Sequence, residues 1–358
     1  MNLIDTIRRV PNPVRKVLEE RKALTKDMFD YLGDRLSTIN EIILIGSGTS
    51  HTSCQTSKEF VETASGIAST AILPNIFLAK RVFNPNGLYI FTSQSGTSTL
   101  VNIAQRKMKE LGYATVAITE SAETPLAKES GCHVLMETDN EEFGCRTIGY
   151  CMSVFTHMII AMEIGLKRQA LSETEYAKYL EDAQKAADMH HEICDKTMEW
   201  FDRNKWKLMN KDGFVIYGAG TLYGTALEGA LKVLEIARRF LCVGYDMDDG
   251  MHGPTMGYTN RHAVIIFDDG HNENITKGLI RYVRDKVGDA FVIGNDSKHP
   301  CDLAFEPLKT PFVFLQYAPV VEILAARLAY DYGINIKTIG PLPETGYGAF
   351  SVTGSSSG

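Results

Sequence analysis

Apolar and polar positions along the chain follow two periods. Short unbroken apolar runs recur between longer stretches whose apolar residues fall three and four apart, which predicts buried strands separated by helices. In the first half, strands are expected at 42–45, 69–72, 88–92, 115–119 and 133–136, with helices starting at Ser50, Thr97 and Thr147. In the second half, they are expected at 214–217, 262–267, 290–293 and, weakly, around Leu303, with helices from Thr221, Asn272 and Phe312. Apolar strands alternating with helices belong to parallel sheets wound by right-handed crossovers. The expected fold class is α/β, with two tandem doubly wound domains, each a mostly parallel sheet flanked by helices.

The pattern repeats. Ile42-Ile43-Leu44-Ile45-Gly46-Ser47-Gly48-Thr49 and Phe214-Val215-Ile216-Tyr217-Gly218-Ala219-Gly220-Thr221 each read as a strand, a G-x-G-T turn and a helix. Thr221 follows Thr49 by 172 residues in a chain of 358, the interval expected of tandem copies. The domains are expected at 1–170 and 171–340. They join in the polar run KRQALSETEY, which precedes a helical stretch reaching Lys207. Residues 341–358, PLPETGYGAFSVTGSSSG, are rich in Gly and Ser and are expected to form a flexible tail.

Composition narrows the class. A chain of 358 residues with 44% hydrophobic and 23% charged residues can bury two cores, and it is neither disordered, collagenous nor coiled-coil. Its net charge of -7 argues against nucleic acid or an anionic membrane as partner, so any anionic ligand must be held by local groups. No signal-like apolar run opens the sequence. The longest apolar stretch, 151–166, contains His157 and Glu163 and falls short of the roughly 20 residues a membrane span needs, so a cytoplasmic location is expected. Seven cysteines without C-x-x-C read as reduced packing thiols. The pair His190-His191 lies in a helical run without a third ligand and is expected on a solvated face, so no metal and no cofactor are assigned.

Two turns in the first half carry the candidate binding chemistry. Gly46-Ser47-Gly48-Thr49-Ser50 and Thr92-Ser93-Gln94-Ser95-Gly96-Thr97-Ser98 both follow strands and open helices, where backbone dipoles favour an anion. Capping alone accounts for Ser50 or Thr97 but not for eight hydroxyls over two turns. A dinucleotide fingerprint lacks its third glycine, since His51 stands there, and no Walker loop exists. The expected ligand is a phosphate held by neutral donors. In the second half the corresponding strand runs into Asp268-Asp269-Gly270, whose carboxylates would repel phosphate, so the copies have diverged.

Acid–base candidates lie in the second half. Glu228, Lys232, Glu235 and Arg239 are spaced 4, 3 and 4 and form one charged stripe, a spacing that by itself favours a solvated ion-pair face over a functional array. His252, framed by Gly250, Gly253 and Pro254, is placed on an irregular loop, where it is either a proton donor and acceptor or a plain loop residue.

Four motifs in order, Ser47-Gly48-Thr49-Ser50, Ser93-Gln94-Ser95-Gly96, Ala226-Leu227-Glu228-Gly229-Ala230-Leu231-Lys232 leading to Glu235, and His252-Gly253-Pro254, resemble the sugar isomerase (SIS) domain family. The likeness covers nearly the whole chain. It extends to the isomerase half of glucosamine-6-phosphate synthase and, in organisation, to bacterial fructosamine-6-phosphate deglycases. The resemblance implies that Ser47, Ser50, Ser93, Gln94, Ser95 and Ser98, with Gly48 and Thr49 of the same turn, bind the sugar phosphate, and that Thr147 lies near the sugar. It implies that Glu235 transfers protons beside Lys232. His252 would assist ring opening from a neighbouring subunit, making the protein a homodimer or larger oligomer with a shared active site.

Two departures from the synthase bear on the substrate. Residue 2 is Asn rather than a nucleophilic cysteine, so no glutamine amidotransferase activity is expected. Phe350 stands immediately before Ser351-Val352-Thr353, where the synthase has its imine-forming lysine, and the last lysine is Lys337. An Amadori compound already carries nitrogen at C1, so the expected activity is cleavage of a 6-phosphorylated fructosamine to a hexose 6-phosphate and a free amino acid. An aldose–ketose isomerase or amino-sugar-phosphate deaminase is the alternative enzyme, and a non-catalytic sugar-phosphate sensor the alternative of another kind. If the released amine is lysine, Asp246, Asp248, Asp249, Glu141 and Glu142 are eligible to meet its ammonium.

Overall fold

The computed structural model describes residues 2–139, 141–295 and 298–337; the expected tail 341–358, with Phe350, lies outside the described residues. The chain forms two compact units. One contains Asn12–Glu141 and Ile148–Leu180, the other Met1–Pro11, Glu142–Thr147 and Glu181–Thr338.

The first unit is built on β1 (Glu41–Gly46), β2 (Ala68–Ile72), β3 (Gly87–Thr92), β4 (Ala114–Thr119) and β5 (Cys132–Leu135), in the order β2-β1-β3-β4-β5. Every pairing is parallel, and the register sets Gly46 beside Thr92. The interior strands β3 and β4 are buried along their whole length, as expected where helices cover both faces of a sheet. The second unit has β6 (Gly213–Gly218), β7 (Leu241–Asp246), β8 (His262–Asp268), β9 (Ala290–Gly294) and β10 (Leu303–Ala304), all parallel, in the order β7-β6-β8-β9-β10. The two strand orders superimpose when β1 is matched with β6. This is a duplicated doubly wound fold.

The repeated G-x-G-T turns share one backbone. Gly48 has φ +56° and ψ -129°, and Gly220 has φ +54° and ψ -130°, a conformation that side chains rarely tolerate. The preceding glycines serve closeness instead. A Cβ on Gly46 would lie 2.7 Å from the Ser50 backbone, and one on Gly218 would lie 2.2 Å from the Leu222 carbonyl oxygen.

β7 has no counterpart among the strands expected from the sequence. It is an edge strand whose Leu241 and Val243 are exposed, so it lacks the unbroken apolar run of an interior strand. Its Gly244 marks a close approach: a Cβ there would meet the Ala226 carbonyl of the helix Thr221–Lys232 at 2.7 Å.

The second unit also takes two segments that precede its sheet. Leu3, Ile4 and Ile7 of the helix Leu3–Ile7, together with Phe143 and Cys145, are buried in one core with Ala230, Val233, Ile236 and the helix Phe314–Asp331. Arg9 donates to Glu142 Oε2 at 2.9 Å and Thr6 to the same oxygen at 3.3 Å. The helices Ile148–Lys167 and Pro311–Asp331 are long and apolar enough to cross a membrane by length and composition, yet 100% and 94% of their apolar windows are buried, as in core helices. None of the seven cysteines is in a disulfide, and all are buried.

Candidate active site

The hydroxyl turns lie at the carboxyl ends of neighbouring strands β1 and β3. Ser47 and Gly48 are exposed, while Thr49 and Ser50 begin the 17-residue helix Thr49–Ser65, whose N-terminus has no side-chain cap. In the second turn Ser93 Oγ lies 3.0 Å from Ser98 Oγ, and Ser95 Oγ lies 2.8 Å from Thr97 Oγ1. The Ser93 N–H donates to the Ile118 carbonyl at 3.1 Å and the Leu126 N–H to the Gly96 carbonyl at 3.2 Å, which fixes the loop on its sheet. Gly96 is required by φ +63° and by Thr124, 2.3 Å from any Cβ. Gln94 is committed differently from the serines. Its Nε2 donates to Glu120 at 2.9 Å and Glu141 at 3.0 Å, and its Oε1 packs against Gly149.

In the second unit, the helix Thr221–Lys232 passes into a π-helical turn, Val233–Ala237, that ends at Arg238 in the left-handed region with φ +51°. Single π turns are frequent where a helix must aim a functional side chain. Glu235 sits in this turn. Lys232 Nζ is 2.8 Å from Glu235 Oε2 and 3.2 Å from Glu228 Oε1. Lys232 and Glu228 are fully buried and Glu235 is 39% exposed, so the stripe is an internal array rather than a solvated ion-pair face. Arg239 lies beyond the helix and stacks over Tyr332. Burial by itself would lower the Lys232 pKa, but the two carboxylates outweigh it and hold the ammonium above its ordinary value.

Segment 142–147 adds groups the sequence reading had not connected with Glu235. Burial, and next the charge of Glu235, push the Cys145 thiol up, while Lys232 and a hydrogen-bonded Arg238 pull it down. Thr147 is buried at the end of this segment. The link joins residues about 90 positions apart and leaves no local signal.

His252 follows the short turn Asp249–Met251 and is exposed, with Nε2 3.5 Å from Asp248 Oδ1. No hydrogen bond or ion pair among the described residues joins it to Glu228, Lys232 or Glu235. Of the five carboxylates eligible for an amine, Asp248 faces His252 and three more accept hydrogen bonds. Glu141 accepts from the Ile148 and Gly149 N–H groups at 2.9 and 3.2 Å, Glu142 from Arg9, and Asp246 from the Asp248 and Asp249 N–H groups. Asp248 and Asp249 remain exposed.

His190, expected on a solvated face, is buried instead. Its ring nitrogens lie 3.2 Å from the Leu315 carbonyl and 2.9 Å from that of Ile7, and burial pushes its pKa down to about 4.

The family profile described as SIS domain matches residues 35–164 and 207–304. A glutamine–fructose-6-phosphate aminotransferase (isomerizing) of Bordetella parapertussis is 23% identical over 327 residues, covering 89% of this chain and 53% of that protein. The chain thus spans about half the length of the curated relatives it matches. Among solved structures, a provisional phosphosugar isomerase from Clostridium difficile 630 superimposes with a TM-score of 0.90 at 20% identity, over 99% of this chain and 100% of that one. A glucosamine-6-phosphate deaminase from Thermotoga maritima gives 0.70 at 22% identity, over 90% and 97%.

Proposed function

We propose that this chain, which belongs to the SIS domain family, is an enzyme of the sugar-phosphate isomerase and deaminase kind, and that it cleaves a 6-phosphorylated Amadori compound to a hexose 6-phosphate and a free amino acid. The observation that carries the finer reading is the state of Lys232. Buried between Glu228 and Glu235 and held as an ammonium, it has no lone pair with which to form an imine. Phe350 stands where the synthase has its imine-forming lysine. A nitrogen supplied by the substrate removes the need for either.

In this reading the serines of the two hydroxyl turns take the phosphate and Glu235 moves the proton. After ring opening, Glu235 removes a proton from C1, those electrons form the C1–C2 double bond, and the C2 carbonyl pair moves onto its oxygen, which takes up a proton to give an enaminol. Returning a proton to C2 leaves an aldimine between C1 and the amino acid nitrogen. Water adds to C1, the C1–N bond breaks, and the amine leaves with a proton. His252, which no hydrogen bond or ion pair among the described residues joins to Glu235, opens the ring from a second copy in this reading, so the working form is a homodimer or larger.

The test is to incubate the protein with 6-phosphorylated fructosamines of several amino acids and with glucosamine 6-phosphate. Equal amounts of glucose 6-phosphate and free amine from a fructosamine are expected. Turnover of glucosamine 6-phosphate alone would replace the deglycase with a deaminase, and no turnover of any substrate would leave a sugar-phosphate sensor.

A further inference from the structure

We infer that His157 is a positioning residue for the hydroxyl turn 93–98, acting through Thr92; the inference rests on the reading of that turn as a phosphate site. His157 is buried in the helix Ile148–Lys167, and hydroxyls from two other elements meet its ring. Nδ1 lies 2.9 Å from Ser57 Oγ in the helix Thr49–Ser65, and Nε2 lies 2.7 Å from Oγ1 of Thr92, the last residue of β3.

The direction of these bonds follows from proton accounting. The Ser57 hydroxyl donates to the Ser53 carbonyl at 3.0 Å, so its oxygen receives the proton on Nδ1. Nε2 then carries a bare lone pair and draws the Thr92 hydroxyl hydrogen. A protonated ring could not accept from Thr92. Burial keeps the ring neutral, with a pKa pushed down to about 3.

Thr92 immediately precedes Ser93. A β-branched side chain has few χ1 choices, and these are coupled to φ and ψ, so holding Oγ1 fixes the direction in which the chain leaves β3. The Ser93 N–H bond to Ile118 fixes the next peptide, and together they place Ser93 Oγ 3.0 Å from Ser98 Oγ. Without the imidazole, the buried Thr92 hydroxyl loses its acceptor and turns toward another.

The experiment titrates inorganic phosphate and glucose 6-phosphate calorimetrically into the wild type and His157→Phe, His157→Gln, Thr92→Val and Thr92→Ser variants. Thermal unfolding is followed on the same samples, and nitrogen NMR of the histidine rings on the wild type. His157→Phe and Thr92→Val are expected to weaken glucose 6-phosphate about tenfold or more, the scale of one hydrogen bond to a charged group. His157→Gln and Thr92→Ser, which keep the donor and acceptor, should stay within about threefold. Nε2 should be unprotonated at neutral pH. Unchanged affinity in both weakening variants, or a proton on Nε2, overturns the inference and leaves the phosphate reading standing. If His157→Phe does not fold, Thr92→Val and the NMR assignment decide. Failure of the wild type to bind either ligand overturns the phosphate reading, and this inference with it.

Discussion

Lys232 holds Glu235 by a 2.8 Å ion pair that crosses the junction between α-helical and π-helical winding. On its other side the same ammonium neutralises a fully buried Glu228. Removing one partner of a buried pair costs about 3–5 kcal/mol, whereas replacing both by apolar groups is often neutral. Lys232→Met should therefore lower stability by about 3–5 kcal/mol, and Lys232→Met with Glu228→Leu should recover most of it, as read by urea unfolding.

Glu235 is only partly buried, so its replacement should spare the fold. Glu235→Gln keeps the shape and removes the base, and general acid–base assistance is worth about 10²–10⁴ in rate. A fall in kcat of that size with an unchanged unfolding midpoint is expected. Wild-type turnover by this variant would sink the proton-transfer role.

The hydroxyl turns should contribute to binding rather than to chemistry. Ser93→Ala and Ser47→Ala should each raise KM about tenfold, the effect of losing one hydrogen bond to a charged group, with kcat nearly constant. Steady-state kinetics on the phosphorylated substrate, beside its unphosphorylated counterpart, gives the comparison.

Arg9 and Glu142 anchor the segment that brings Cys145 to Glu235. Arg9→Ala and Glu142→Ala should each reduce kcat several-fold while phosphate binding stays unchanged. Because the residues are partners, the double variant should be little worse than either alone, with a coupling of about 0.5–3 kcal/mol. Additive losses would show that the ion pair does not act as a unit.

Two buried imidazoles make stability depend on pH. Burial lowers His157 to about 3 and His190 to about 4, against roughly 6.5 in an unfolded chain. The unfolded state therefore takes up more protons below about pH 6.5, so stability is full above that value and falls as pH drops toward the folded pKa values. The slope approaches about 1.4 kcal/mol per pH unit for each histidine. Urea midpoints measured from neutral pH down to about pH 4.5 should show the decline, and His157→Gln should make it shallower.

Much of the fold is legible in the sequence because interior strands such as β4 and β8 are buried on both faces and so read as continuous apolar runs. Edge strand β7 is half exposed and carries Gly244, so it shows no such run. The site is legible to a different depth. Glu228, Lys232 and Glu235 are visible as residues, but a spacing of 4 and 3 looks the same on a wet helix face and in a dry interior. Only the packing of the helix Thr221–Lys232 separates the two. The proximity of Cys145 to Glu235, and the burial of His190 by Ile7 and Leu315, depend on long-range packing that no local pattern encodes.

Gly48 and Gly220 give the molecule its own control experiment. The same backbone turn occurs twice, once flanked by Ser47 and Ser50 and once by Ala219 and Leu222. Main-chain geometry is thereby held constant by duplication while the side chains differ. Placing serines at Ala219 and Leu222, with Asp268 and Asp269 left as they are, would measure within a single chain how much phosphate affinity the hydroxyls alone confer.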